Sequence, residues 1–141
     1  STIGNLILVH GNNCFMSYPV TEENYITYHH IIKRCREGRK TFGNGTPLTL
    51  EAHADLNKIE RESKRLYKQF NELFKDFKHS GSRAPTIGYY IEIRKLLEKA
   101  IELVELSRYY DPDREITIDQ PTEPYEYVNG FWIPKNKIKT R

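Results

Sequence analysis

Tyr25-Ile26-Thr27-Tyr28-His29-His30, then Asn44-Gly45-Thr46-Pro47-Leu48, then Ala52-His53 and Leu56-Asn57 are the stretches that decide how this chain reads. A β-branched and aromatic run ends in two imidazoles. A loop rich in glycine and asparagine follows and carries Asn44. A third imidazole and a second amide then stand four residues apart, where a long amphipathic segment begins. Adjacent residues of a strand point to opposite faces, so His29 and His30 are expected to have different surroundings, one turned to the helix and one to water. His53 and Asn57 fall one above the other on a single helical face.

Working outward, Leu6 to His10 reads as a short strand and Gly11-Asn12-Asn13 as the turn behind it. Tyr25 to Ile32 reads as a second extended run, Glu37 to Gly45 as a loop, and Thr46 to Thr49 as a brief return strand. Pro47 has no N–H to donate and therefore belongs at an edge or a strand end. Thr49 is an expected N-cap, with Glu51 in the first turn complementing the helix dipole. Ala52, Leu56, Ile59, Leu66, Phe70, Leu73 and Phe77 recur at spacings of three and four, with Ser63 in the single gap. That stripe predicts one helix running to about Lys78. After a break at Gly81 and Pro85, a second helix is expected from about Thr86 to Tyr110, its apolar face too broad for one seam. Asp111 to Pro124 reads as an extended linker. Asn129-Gly130, between Glu126-Tyr127-Val128 and Phe131-Trp132-Ile133, is a strong two-residue hairpin signal.

The 141 residues suffice for one domain with a real core, or a small domain with a helical appendage. Charged residues make up 29% and no apolar run approaches a membrane span. No signal-peptide core precedes the first elements, and an intracellular, cytoplasmic setting without membrane contact is the expectation. Cys14 and Cys35 form neither a disulfide framework nor a CxxC half-site. The net charge of +3 is unevenly placed. Lys33, Arg34, Arg36, Arg39 and Lys40 follow the histidine pair, and Lys58, Arg61, Lys64, Arg65 and Lys68 follow Asn57. Lys135, Lys137, Lys139 and Arg141 end the chain. A basic surface bracketing the imidazoles suits a polyanion, because each neutralised phosphate adds affinity through counterion release.

Phosphodiester hydrolysis assisted by a divalent ion needs a neutral imidazole to take a proton from water, and further ligands converging on the ion. The order and spacing of Tyr28-His29-His30-Ile31-Ile32, Glu37-Gly38, Asn44-Gly45-Thr46-Pro47-Leu48, Ala52-His53 and Leu56-Asn57 resemble the HNH endonuclease family. These are the ββα-metal nucleases of phages, homing endonucleases, bacterial toxins and RNA-guided effectors. The resemblance covers about residues 14–60. It implies His29 as a metal ligand, His30 as the general base and Asn44 as the brace of the loop. His53 and Asn57 would then be the remaining metal ligands. The family often binds a structural zinc through CxxC pairs; here Ser17 stands where Cys14 would need a partner, so no structural zinc is expected. Arg39 replaces the second glycine of the loop and is placed near a phosphate. An amide oxygen with water ligands favours Mg²⁺ or Mn²⁺, while two imidazoles pull towards Zn²⁺ or Ni²⁺.

The expectation is an α+β protein: an N-terminal ββα-metal (HNH) module over residues 1–60, then a long two-helix antiparallel hairpin over 61–110, continuous with the module's helix. A linker and C-terminal β-hairpin with a basic tail occupy 111–141. The function implied by the resemblance is a metal-dependent DNA endonuclease, phage-borne or carried on a mobile element. Lys33, Arg34, Arg39, Lys40 and Arg61 would meet DNA. The competing class is a nucleic-acid-binding or assembly protein that keeps the fold without turnover. RNA fits the same centre, since nothing in the chain reads a 2′-OH. The broad apolar face of the second helix offers a surface for a homodimer.

Overall fold

Two short antiparallel hairpins and four α-helices make up an α+β arrangement in the computed structural model, which describes residues 1–137. Lys139 and Arg141 of the basic tail lie outside the described residues. Strand β1 (Ile26–His30) pairs with β2 (Gly45–Thr49), placing His29 opposite Thr46 and His30 opposite Gly45. Pro47 lies opposite Tyr28 in this two-stranded sheet, which consists only of edge strands, as a residue without an N–H requires. Helix α2 (Leu50–Glu62) leaves β2 without an intervening loop. Its N-cap is Thr49, whose Oγ1 accepts from the Ala52 N–H at 3.2 Å. The hairpin and α2 are thus joined by a capped corner, and this corner sets where the imidazoles meet.

Three elements differ from expectation. Leu6 to His10 is not a strand but the end of helix α1 (Thr2–His10). Ser1 Oγ caps it by accepting from Gly4 N–H, and Leu6, Val9 and His10 bury at helical spacing. A short run of Ile, Leu and Val is ambiguous between the two periods, and here the cap and the packing decide it. The stripe from Ala52 to Phe77 does not belong to one helix. Ser63 adopts φ −152°, ψ 99°, ends α2, and begins α3 (Lys64–Lys78) by accepting from Leu66 N–H at 3.1 Å. A serine hydroxyl competes with the helical ladder for backbone donors, and at the one gap in the stripe it turns the chain. Helix α4 (Ile87–Ala100) stops ten residues early, before Glu102 and Glu105, whose charges oppose the helix C-terminal dipole. The chain is then drawn inward by Asp55, which accepts from Tyr18 O–H at 2.7 Å and from Ser107 N–H at 2.9 Å.

One buried cluster runs from Cys14 to Ala100 and includes Phe15, Leu48, Leu56, Ile59, Phe70, Phe74, Ile93 and Leu97. It draws on both sides of the boundary expected at residue 60, so the hairpin, α2, α3 and α4 share a core. Helices α3 and α4 meet where the Phe77 and Tyr89 rings lie 4.9 Å apart. The buried backbone at Cys14 and Phe15 is satisfied from α4, by Tyr90 O–H and Tyr89 O–H respectively. The 111–124 segment is tied down too: Asn13 and Asp119 exchange hydrogen bonds and Arg114 donates to Ser17 O. The C-terminal hairpin forms as expected, with β3 (Tyr125–Val128) and β4 (Phe131–Pro134) flanking Asn129-Gly130. Both turn residues have positive φ, 50° and 87°, the conformation a two-residue type I′ turn requires.

Candidate active site

Strand alternation separates the two imidazoles of the pair. Thr27 and His29 face α2, while His30 turns to the other side with Tyr28, their rings 4.7 Å apart. His29 is buried, at 4% exposure, among the rings of His53 (5.4 Å), Phe74 (5.7 Å) and Tyr67 (6.2 Å). β1 and α2 therefore bring His29 and His53 together. Among the described residues each imidazole has one hydrogen-bond partner. His29 Nε2 lies 2.7 Å from Asn71 Oδ1 on α3, and His53 Nδ1 lies 3.0 Å from Thr27 Oγ1. Asn57, one turn beyond His53, is exposed.

Both imidazoles of this pair are held neutral. Burial lowers His29 to about 4, opposed by its hydrogen bond with Asn71 and aided by its neighbours His53 and His30. Burial also lowers His53, followed by the charge His30 would carry. A neutral imidazole has a lone pair to give, so the donors present are two imidazole nitrogens and the exposed amide of Asn57, while Asn71 Oδ1 is engaged with His29. That set would hold a divalent ion only with water filling its remaining positions. Among the described residues no group of three or more His, Cys, Asp or Glu side chains is placed to hold an ion.

His30 is half-buried, and its Nε2 is shielded from solvent without a hydrogen-bond partner among the described residues. Desolvation lowers its pKa, followed by the positive charges of Arg34 and Lys40. The opposite position, Gly45, has no room for a side chain, because an added Cβ would collide with the Tyr28 ring. Tyr28 in turn anchors the loop, donating its O–H to Thr41 O at 2.6 Å.

Asn44 ties the two ends of this loop together. Its Oδ1 accepts from Ile32 N–H at 2.7 Å, while its Nδ2 donates to Ile32 O and to Arg39 O, each at 3.0 Å. Its own carbonyl accepts from Ile31 N–H at 2.9 Å. From below, the buried Lys78 ammonium on α3 donates to Phe42 O and Gly45 O, both at 2.7 Å, and lies over the Phe42 ring. The loop is thus closed by an amide on one side and by an ammonium on the other.

The basic residues divide. Arg34, Arg39 and Lys40 are exposed and, with Glu37 and Gly38, line an open concavity of about 750 Å³ in the loop that follows β1. Arg61 is exposed at the end of α2. Lys33 is engaged instead by Glu60 of α2, and its ammonium stands over the Tyr67 ring. Lys58 is likewise held, by Asp55 and Glu105 O.

Thr27, Glu60, Asn71 and Lys78 escaped the sequence reading. Strand alternation could have found Thr27, two residues before His29 on the same face. No sequence signal identifies Asn71, whose approach to His29 depends on the turn at Ser63. No protein-family model, no curated protein and no solved structure matches this chain.

Proposed function

We propose that the chain is a metal-dependent endonuclease of the HNH type, hydrolysing DNA phosphodiester bonds. The observation that carries this reading is the division of labour in one hairpin–helix corner. His29 and His53 converge on one side of β1, while His30 turns to the other, where it feels the positive charges of Arg34 and Lys40 from the exposed basic loop. His29 and His53 would hold one divalent ion, with Asn57 as the further ligand one turn on. Mg²⁺ or Mn²⁺ is favoured, and Zn²⁺ or Ni²⁺ also suits the imidazoles. Bound there, the ion would neutralise charge growing on the leaving 3′ oxygen.

The chain's own groups do the rest. His30 is unprotonated at neutral pH and takes a proton from the attacking water. Asn44 fixes the loop at Ile32 and Arg39, and so holds the strand end that carries His30. Arg34, Arg39 and Lys40 attract the phosphate backbone, and Arg61 extends the basic surface along α2. Lys33, paired with Glu60, supplies less free charge than its position in the sequence implies. Of the two free cysteines, Cys14 is buried beside Thr49 and Cys35 is exposed. Ile87 and Ile91, one turn apart and exposed on α4, are the face through which a second copy would pack for paired cuts.

The lean donor set favours a second reading, a nucleic-acid-binding or assembly protein on the same frame without turnover. RNA remains an alternative polymer for either reading. Supercoiled plasmid and a single-stranded RNA, each incubated with EDTA, Mg²⁺, Mn²⁺, Ni²⁺ or Zn²⁺, separate these. Metal-dependent relaxation or linearisation of the plasmid supports the nuclease. Binding without cleavage under every metal supports the second reading, and cleavage of RNA alone reassigns the substrate.

A further inference from the structure

Thr27 Oγ1 lies between two groups. It donates to the Leu48 carbonyl at 2.8 Å, and His53 Nδ1 lies 3.0 Å away. A threonine hydroxyl has one hydrogen. With that hydrogen committed to a carbonyl, Thr27 can only accept from His53, so the proton of neutral His53 sits on Nδ1. The second imidazole is arranged in the same way. Asn71 Oδ1 has no hydrogen to give, so the 2.7 Å contact requires the proton of His29 on Nε2. Among the described residues each ring is therefore left with one nitrogen lone pair free: Nε2 on His53 and Nδ1 on His29. Metal-binding histidines almost always donate their other N–H to a protein acceptor, which fixes the tautomer and the ring's orientation.

We propose that Thr27 and Asn71 are positioning residues that lock the tautomers of His53 and His29 and leave His53 Nε2 and His29 Nδ1 as the ligand atoms. Two elements outside the resemblance's motif residues then complete the site. One is the α2-facing side of β1 at Thr27. The other is α3, which reaches His29 only because the chain turns at Ser63. Asn71 lies beyond the segment that resembles the HNH family, so this half of the arrangement belongs to this chain's own architecture. The inference deepens the nuclease reading and rests on it for metal affinity alone; the tautomers follow from the hydrogen bonds.

The test has two readouts. Long-range ¹H–¹⁵N correlation spectra of the metal-free protein at pH 7.5 report which nitrogen of each imidazole is protonated. Mn²⁺ titration followed by electron paramagnetic resonance reports affinity. Wild type is expected to show His53 protonated at Nδ1 and His29 at Nε2. Thr27→Val should release the His53 tautomer, and Asn71→Leu that of His29, each weakening Mn²⁺ binding about 10–100-fold. Asn71→Asp, which can only accept, should keep the His29 tautomer and bind Mn²⁺ at least as well as wild type. The opposite tautomer on either ring in wild type overturns the assignment, even if a variant fails to fold. So does an Asn71→Asp protein that behaves like Asn71→Leu, since the amide would then be donating. Predicted tautomers in a wild type that binds no Mn²⁺ would support the locks and count against the nuclease reading.

Discussion

Replacing Asn44 tests the hinge of the site without touching either imidazole. Its amide makes three side-chain hydrogen bonds, to Ile32 N–H, Ile32 O and Arg39 O. At about 0.5–1.5 kcal/mol net for each such bond, Asn44→Ala removes at most about 1.5–4.5 kcal/mol. Asn44 is half-buried, so water can take over part of this role, and about 1–3 kcal/mol is the expected loss. With a urea m-value of about 1–3 kcal/mol per molar, the midpoint should fall by the order of 1 M. Asn44→Asp is the sharper probe. It keeps the acceptor for Ile32 N–H but turns a second carboxylate oxygen towards two carbonyl oxygens. It should be at least as destabilising as alanine despite its near-identical shape. Urea unfolding at pH 7.5, with hydrogen exchange at the Ile32 amide, measures both effects. An Asn44→Asp protein as stable as wild type, with Ile32 still protected, would refute the bonding pattern and the bracing role with it.

Three further outcomes follow from the packing and the charges. Burial, then the neighbouring Lys78 charge, lowers His10 from 6.5 to about 3, so His10 stays neutral in the native state while the unfolded chain takes up a proton near pH 6.5. Its contribution is therefore complete above pH 6.5 and is lost as pH falls towards 3, by up to about 1.4 kcal/mol per pH unit. Urea midpoints at pH 7.5 and 5 should differ in that sense, and equal midpoints would contradict it. Gly45→Ala should cost about 1–3 kcal/mol in thermal or urea unfolding, because the new methyl group meets the Tyr28 ring that anchors the loop; a neutral substitution would mean that ring is free to move. Of the two free cysteines, exposed Cys35 should react rapidly with a thiol reagent, while Cys14, buried and with its pKa raised by desolvation, stays silent until unfolding. Two fast thiols would contradict the burial.

The hairpin, the capped corner and the start of α2 were legible because alternation and capping are local: Tyr25 to His30 alternates, and Thr49 stands where the periodicity changes. The separation of His29 from His30 followed from the same pleat. The Asn129-Gly130 turn was readable for an equally local reason, its demand for two positive φ values. Longer-range features were not. The stripe from Ala52 to Phe77 keeps its period across Ser63, so nothing in the spacing reveals that the chain turns there. The Asn71 contact with His29 depends on that turn and was hidden with it. The run before His10 fits either period, and only its cap and its burial make it α1. Lys33 looked free because its partner, Glu60, lies on another element. Asn57 matches the expected spacing, but its exposure leaves the nearest amide to His29 on α3.

The most direct test of the account is the rate at which supercoiled plasmid is cleaved by His30→Ala compared with wild type, both with Mn²⁺ and both shown to be folded by their amide spectra. General-base help is typically worth about 10²–10⁴-fold, and a loss of that size is expected with metal binding retained. Cleavage by the variant at the wild-type rate would contradict it, and the proton acceptor would have to be sought elsewhere on the chain.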